Sequence, residues 1–140
     1  METRTDKNKA VVLRFNREVI EQGSAESFKQ LMHDEFINRS APPGTDHGQQ
    51  GMNYFFNDIL RPAISNIAVT IYEQVAEGDL VTTRKNISGT HTGTLLGIEP
   101  TGRNISIDVI DIVRIKEEKY FEHWGITNFS DVLTQLKAGS

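Results

Sequence analysis

The sequence predicts an α+β fold, in which helices pack into the concave side of a curved, mixed or antiparallel β-sheet. Two observations carry this prediction. The N-terminal half contains segments whose apolar residues recur at helical spacing, and the C-terminal half contains long segments in which apolar and polar residues alternate. With 140 residues, the chain is expected to form one domain, residues 1–140. In such a fold a cavity remains wherever the helices do not fill the concave side of the sheet completely.

The composition argues against nucleic-acid binding, membrane association and thiol chemistry. The formal net charge is −4 and charges of both signs are interspersed, so neither a nucleic-acid groove nor a polybasic membrane patch is predicted. Without cysteine, the chain has no disulfide and no thiolate chemistry. No apolar run approaches the roughly 20 residues that span a bilayer. The N-terminal residues METRTDKNKA contain no apolar signal core. We therefore expect a cytoplasmic protein without nucleic-acid or membrane partners.

The first half of the chain is predicted to be mainly helical. A first helix covers about residues 6–22, with Phe15 in its apolar stripe, and a short second helix follows. An extended segment at residues 35–39 precedes a loop rich in proline and glycine. A third helix is predicted over about residues 49–60. It carries so many large apolar residues that we expect it to be covered on most sides.

The second half is predicted to be mainly β-structure. Alternation indicates one strand over about residues 67–75 and a returning strand over residues 80–91, joined by a turn at residues 77–79. A last helix is predicted near the C-terminus, with Asn128 or Ser130 as its cap.

Residues 105–128 are predicted to form two long antiparallel strands joined by a short polar turn at residues 117–119. Apolar β-branched residues occupy alternate positions from Ile105 to Ile115, but Asp111 takes one of these positions. A buried charge is costly unless it is paired, hydrogen-bonded or neutralised by a shifted pKa. We expect burial to raise the pKa of Asp111.

The register of this hairpin decides what Asp111 contacts. A two-residue turn would place Asp111 opposite Trp124, whereas a three-residue turn would place it opposite Gly125. We favour the three-residue turn because it pairs Arg114 with Glu122 across the strands. The same register pairs Ile112 with Trp124, Val113 with His123 and Ile115 with Phe121.

In this register Asp111, His123 and Gly125 share one face, so a carboxylate and an imidazole can face one cavity. The alternative is that Asp111 is a core acid satisfied by hydrogen bonds and that His123 is an ordinary strand histidine. A catalytic interpretation requires Asp111 to be accessible and within hydrogen-bond distance of His123 or His91.

Other residues are candidates for lining the cavity. His91 ends its strand, where it can line the pocket mouth or hold a loop by a hydrogen bond. Trp124 is interpreted first as a core or subunit-interface residue, and Arg114 as half of a structural ion pair. The helical aromatic residues are expected to be mainly core, with one or two lining any cavity: Phe15, Tyr54 and Phe55. The histidines and acids show no metal-ligand spacing, so no metal site is predicted.

Several short motifs resemble those of one known family. They are Gly89-Thr90-His91-Thr92-Gly93, the segment Gly97-Ile98-Glu99-Pro100-Thr101-Gly102-Arg103, Asp111-Ile112-Val113-Arg114, Glu122-His123-Trp124 and Leu133-Thr134-Gln135-Leu136. Their order and spacing resemble the SnoaL-like polyketide cyclase (ester cyclase) family of the nuclear transport factor 2-like superfamily. The resemblance covers about residues 8–139.

This resemblance implies a cone of helices wrapped by a curved sheet, with nuclear transport factor 2-like and cystatin-like topology. It implies a deep apolar pocket for a small carbonyl compound of the polyketide kind. It also implies a homodimer or homotetramer built through the sheet. The founding members of the family close a ring by an intramolecular aldol reaction without metal or cofactor.

The family's site residues carry over only in part. The catalytic aspartate of the founding cyclases falls at Gly125, and their assisting histidine falls at Asp111. His91 matches the family's glycine-flanked histidine, and Arg114 matches its arginine. The resemblance therefore implies a site in which the aspartate is missing and the histidine has become an aspartate.

Two functional interpretations follow. In the first, Asp111 removes the proton, His123 hydrogen-bonds it or polarises a carbonyl, and the space beside Gly125 admits substrate. In the second, cyclase chemistry is lost, and the cup binds a small ligand or serves another acid/base reaction such as isomerisation, dehydration or hydrolysis. The candidate catalytic residues are Asp111, His123 and His91. The candidate pocket residues are Phe15, Tyr54, Phe55, Arg114, Trp124 and Gly125.

Overall fold

The computed structural model describes residues 2–138 and confirms the α+β fold. The strands are β1 (Met32–Asn38), β2 (Ile64–Glu77), β3 (Leu80–His91), β4 (Asn104–Lys116) and β5 (Lys119–Thr127). They form one sheet in the order β1-β5-β4-β3-β2. Neighbouring strands are antiparallel, except that β1 lies parallel to β5, so the sheet is mixed.

The helices differ from the prediction in detail. They are α1 (Arg4–Arg14) with a π-helical continuation (Phe15–Glu21), α2 (Ala25–Leu31), α3 (Gln49–Tyr54) with a π-helical continuation (Phe55–Leu60), the single turn α4 (Arg61–Ala63) and α5 (Phe129–Lys137). The third predicted helix is not covered on most sides, because Tyr54 is 56% exposed. Among the described residues, no helix combines the length and apolar character that spanning a membrane requires.

The core lies between the helices and one face of the sheet. On β4 the residues from Ile105 to Ile115 alternate strictly between buried and less buried, and Asp111 is on the buried face. The long first helix contributes Val12 and Val19 to the same core. The predicted inward face of β4 is therefore confirmed, including its one carboxylate.

The β4–β5 hairpin has the predicted register over most of its length, but its turn is shorter than predicted and a β-bulge compensates. Its turn contains two residues, Glu117 and Glu118, both at positive φ, so the three-residue turn is wrong. Phe121 is an extra residue on β5 that shifts the register by one position. This bulge pairs Ile115 with Tyr120 instead of Phe121, and it restores the predicted pairing for the rest of the hairpin.

Candidate functional site

Asp111 lies in the middle of the sheet, between Thr83 on β3 and Gly125 on β5. Only 5% of the residue is exposed, so the accessibility that the catalytic interpretation requires is not met in this conformation. Its Oδ2 lies 3.3 Å from Nζ of Lys85 and 3.4 Å from Nε2 of His123. Its Oδ1 is buried and has no hydrogen-bond partner among the described residues. One carboxylate oxygen is thus paired with two basic groups, and the other oxygen is left unpaired.

Lys85 connects this carboxylate to the first helix. Its side chain is as buried as that of Asp111, and its ammonium group donates a 2.6 Å hydrogen bond to Oδ1 of Asn16. The amide of Asn16 in turn donates to the carbonyl of Val12, at 2.8 Å. Asn16 stands in the π-helical continuation of α1, a type of segment that often occurs at functional sites.

His123 is held on the other side of Asp111. Its Nδ1 lies 2.9 Å from Oδ1 of Asn38, and that oxygen also accepts a hydrogen bond from the backbone N–H of Ser40. Nδ1 therefore donates to Asn38, while Nε2 faces Asp111. Both ring nitrogens therefore face acceptor oxygens.

The charges around Asp111 decide its protonation. Burial by itself would raise the pKa of Asp111. The Lys85 ammonium and the hydrogen-bonded His123 ring oppose this effect and together hold the pKa of Asp111 below its ordinary value. The predicted upward shift is therefore wrong, because it took account of burial without the two basic partners. The carboxylate is ionised at neutral pH.

Gly125 allows both side chains to approach its backbone closely. A Cβ at this position would lie 3.0 Å from Cε1 of His123 and 3.6 Å from Cβ of Asp111. The face predicted to be shared by Asp111, His123 and Gly125 is thus present, and even a methyl group at position 125 would press on the imidazole.

Tyr120 and Phe15 pack in the core near this cluster. The two rings stack with centroids 4.3 Å apart, and both residues are almost completely buried. Burial, and secondly the charge of Asp111, raise the pKa of Tyr120 well above its ordinary value, so its phenol stays protonated. Phe15, a candidate pocket residue, lies within this packed core.

His91 is buried apart from the Asp111 cluster. Its Nδ1 accepts hydrogen bonds from the backbone N–H and the hydroxyl of Thr101, and its backbone pairs with Arg103 and Gly102. The side chain thus holds the loop that leads into β4, one of the two predicted arrangements. Its Nε2 is buried without a partner among the described residues.

The remaining pocket candidates do not share the inner face with Asp111. Trp124 pairs with Ile112 on the outer face of the sheet. Arg114, also on that face, makes the predicted ion pair with Glu122 at 2.8 Å and a second with Asp79 at 2.7 Å. On the helical side, Tyr54 is exposed, and Phe55 is half-buried in edge-to-face contact with two other phenylalanines.

Two surface grooves occur elsewhere on the described part of the chain, and Asp111 lines neither of them. A groove of about 650 Å³ lies at the end of the β4–β5 hairpin and is lined by Arg4, Arg114, Glu118 and neighbouring residues. Another, of about 620 Å³, lies along α2. Among residues 2–138, no cluster of three or more histidines and acids could hold a metal ion.

Three members of the cluster were not predicted as site residues: Lys85, Asn16 and Asn38. For Lys85 a signal was present: residues 81, 83, 85 and 87 alternate inward on β3, which puts a lysine in a row with Val81 and Ile87. The two asparagines had no such signal, because their positions depend on how the helix and β1 pack against the sheet.

Similar proteins agree with this fold. The structure of TsrD from Streptomyces laurentii has a TM-score of 0.84 at 24% identity, covering 98% of this chain and 99% of that one. IdmH from Streptomyces antibioticus, described as a proposed polyketide cyclase, has a TM-score of 0.80 at 24% identity, covering 93% and 98%. An LEH-like epoxide hydrolase from M. tuberculosis has a TM-score of 0.71 at 11% identity, covering 98% and 94%. At these identities the likeness establishes the fold, which is nuclear transport factor 2-like.

A search of curated proteins returned no match. The profile of a protein family gives the more specific result. The SnoaL-like polyketide cyclase profile matches residues 10–136, which include every residue of the Asp111 cluster. The chain therefore belongs to the SnoaL-like polyketide cyclase family.

Proposed function

We propose that the chain catalyses a cofactor-free acid/base reaction, an intramolecular aldol-type cyclisation of a small apolar carbonyl compound of the polyketide kind. The observation that carries this proposal is the unpaired Oδ1 of Asp111, a buried proton acceptor beside the ring of His123. A buried acceptor without a donor costs about 1–3 kcal/mol. A ligand donor at this oxygen would remove that cost.

In the proposed reaction, Oδ1 of Asp111 takes a proton from the carbon next to a carbonyl group. The resulting enolate carbon forms a bond to a second carbonyl carbon of the same molecule, and the new alkoxide takes up a proton. The substrate and product have the same atoms, so no redox partner or cofactor is required. His123 is the proposed proton donor to the alkoxide. The proton held by Asp111 then passes to Nε2 of His123, which lies 3.4 Å from Oδ2 of Asp111, so both groups return to their starting states.

The proposed route of entry passes His123 and Gly125. The His123 side chain is 17% exposed while it contacts Asp111, so it is the member of the pair that solvent reaches. Gly125 adds no side chain between them. Because Asp111 itself is buried, a substrate must displace the segment near Ser40, whose hydroxyl accepts a hydrogen bond from the Gly125 N–H at 2.8 Å.

An aryl 1,5-diketone, which can close a six-membered ring, tests this proposal. We expect purified wild-type protein to form the cyclised product, and Asp111→Asn to lose about 10²–10⁴-fold in rate, the usual contribution of a positioned base. Asp108→Asn is the matched control, since Asp108 lies on the same strand but is exposed on the outer face. Equal pH–rate profiles for wild type and Asp111→Asn would exclude Asp111 as the base.

A second candidate function is a binding module without turnover. The ion pair with Lys85 favours it, because this pair makes Asp111 a satisfied core acid on one side. Other acid/base reactions on this fold, such as isomerisation, dehydration or hydrolysis, would need the same pair of residues. Binding of the diketone without any product from purified protein would favour the module over the enzyme.

We also propose a homodimer or homotetramer built through the outer face of the sheet. Apolar side chains on that face remain uncovered in the single chain, with Ile126 78% and Val75 66% exposed. Ile110, Ile112 and Trp124 extend this apolar surface beside Ile126 on β4 and β5. Val75 lies on β2 and is separated from Ile112 by Thr82 on β3. An exposed apolar patch of this kind usually marks an interaction surface. A cytoplasmic location and small apolar carbonyl ligands stay predictions.

A further inference from the structure

We infer that Lys85 is a further catalytic residue, which donates a hydrogen bond to the oxygen that becomes negative in the enolate, and that Lys85 and Asp111 together select enolisable 1,3-dicarbonyl compounds. This inference rests on the proposed function and deepens it. It assigns a donor to the developing oxyanion, a role that such a reaction requires and that no residue of the predicted site fills.

The first support is the number of donors on Lys85. An ammonium group carries three N–H donors. Among the described residues, Lys85 has two acceptors, Oδ1 of Asn16 at 2.6 Å and Oδ2 of Asp111 at 3.3 Å. The third donor of this buried cation has no acceptor among the described residues. Because Lys85 and Asp111 are only 4% and 5% exposed, a ligand reaches this donor only through the displacement proposed above for the segment near Ser40.

The second support is the neighbouring acceptor. Oδ1 of Asp111 is buried and unpaired, and it belongs to the same carboxylate whose other oxygen contacts Lys85. The ion pair thus offers one free donor and one free acceptor side by side. A 1,3-dicarbonyl compound in its enol form has the complementary pair, a hydroxyl donor and a carbonyl acceptor on one short, flat segment.

The third support is the balance of charge during proton transfer. In the diketo form of the ligand, the C–H bond between the two carbonyl groups breaks, its proton forms an O–H bond with Oδ1 of Asp111, and its electron pair moves onto a carbonyl oxygen of the ligand. The negative charge passes from Asp111 to that oxygen. Return of the proton from Asp111 to that oxygen gives the enol form. Because Lys85 can contact both groups, the buried cation keeps an anionic partner throughout, which avoids the cost of an uncompensated charge.

Asn16 is a positioning residue in this arrangement. Its carbonyl oxygen takes one Lys85 donor, and its own amide is fixed by the carbonyl of Val12. The π-helical segment therefore fixes one of the three lysine donors.

The test uses two apolar ligands that differ in the enolisable pair. Benzoylacetone is a 1,3-diketone, and 4-phenyl-2-butanone is a comparable monoketone without the second carbonyl. Calorimetric titration of the wild-type protein should show at least tenfold tighter binding of benzoylacetone, since a hydrogen bond to a charged group corresponds to about ten- to hundredfold in affinity. Bound benzoylacetone should also show the ultraviolet absorption of its enolate.

Lys85→Met should abolish the preference and the enolate band. Lys116→Met is the matched control, because Lys116 is an exposed lysine at the end of β4. Circular dichroism shows whether each variant is folded. If Lys85→Met does not fold, the ammonium resonance of Lys85 in ¹⁵N-lysine-labelled wild-type protein gives the answer, since benzoylacetone should shift it and the monoketone should not.

Equal affinities for the two ligands in the wild type would overturn the inference. So would a folded Lys85→Met variant that keeps the preference, or a Lys85 resonance that benzoylacetone leaves unchanged. A preference that depends on Lys85, without cyclisation of the aryl 1,5-diketone, would refute the proposed function and support the 1,3-dicarbonyl ligand class. Cyclisation without any preference would support the proposed function and refute the role of Lys85.

Discussion

Asp111 remains charged inside the protein because two basic side chains face the same carboxylate oxygen. Burial favours the protonated acid, but Lys85 and His123 reverse the balance and lower the pKa of Asp111. The unfolded chain provides neither partner. Folding therefore favours the ionised form of Asp111, and the stability of the protein depends on pH through this residue.

Acid unfolding should show this dependence. Because the folded pKa of Asp111 lies below its unfolded value, its contribution is fully present above about pH 4 and is lost as the pH falls through the folded pKa. Urea unfolding between pH 7 and pH 2 measures it. Lys85→Met, which leaves a buried unpaired carboxylate, should cost about 3–5 kcal/mol at pH 7.

The double variant Lys85→Met/Asp111→Leu is the control for this acid unfolding. It replaces the ion pair by apolar side chains, so it should recover most of the stability lost in Lys85→Met and show a shallower loss in acid. A double variant as unstable as Lys85→Met at pH 7 would contradict the role given to the pair.

Gly125→Ala tests the space beside His123. The new methyl group would lie 3.0 Å from Cε1 of His123, so the ring must move, and we expect destabilisation of about 1–3 kcal/mol. The ring resonances of His123 should shift because its contact with Asn38 changes. Gly48→Ala, whose Cβ would make only ordinary contacts at 3.5 Å, should have a much smaller effect. Unchanged His123 resonances in Gly125→Ala would contradict this geometry.

At the scale of elements, the hairpin shows what the sequence could predict. Alternation on β4 and the Arg114–Glu122 pair were enough to predict its inward face and the register opposite Gly125. The turn was not predictable, because two glutamates rarely occupy a turn in which both φ angles are positive. The bulge at Phe121 compensates for the shorter turn, and side-chain pairing alone cannot separate these two routes to one register.

For the Asp111 cluster, too, the sequence predicted local placement but not long-range contacts. The face shared by Asp111 and His123 follows from strand periodicity, which depends only on local sequence. The contacts with Asn16 and Asn38 depend on how a helix and a parallel edge strand approach the sheet. The downward pKa shift of Asp111 was missed for another reason: Lys85, whose inward position on β3 follows from strand alternation, was not considered as a partner.

The strained turn predicts a stabilising change. Glu117 and Glu118 have φ values of 56° and 59°, a region in which Asn and Gly are much more favourable. Replacing the pair by Asn-Gly should stabilise the protein by about 1–2 kcal/mol, measured by urea unfolding. Glu117→Gln/Glu118→Gln removes the charges but keeps the strain, so it should give no comparable gain. Equal gains in both variants would indicate charge relief instead.

For the whole molecule, the proposed assembly through the outer face gives the main prediction. Light scattering coupled to size-exclusion chromatography should show a dimer or tetramer of the wild type. Ile126→Lys should shift it towards monomer, because a buried lysine without a partner is costly at an interface. Leu96→Lys is the control, an exposed apolar residue in the loop after β3. A wild-type protein that stays monomeric at all concentrations would contradict the assembly.

The cluster around Asp111 has a consequence for the order of folding. Asn16, Asn38, Lys85, Asp111 and His123 come from five different segments of the chain. Their contacts can form only after the helix and both sides of the sheet have docked, so this network should be absent from the transition state for folding. Weakening it should then speed unfolding and leave the refolding rate almost unchanged. The buried charges would therefore determine the lifetime of the folded state, while the rate of folding would depend on other contacts.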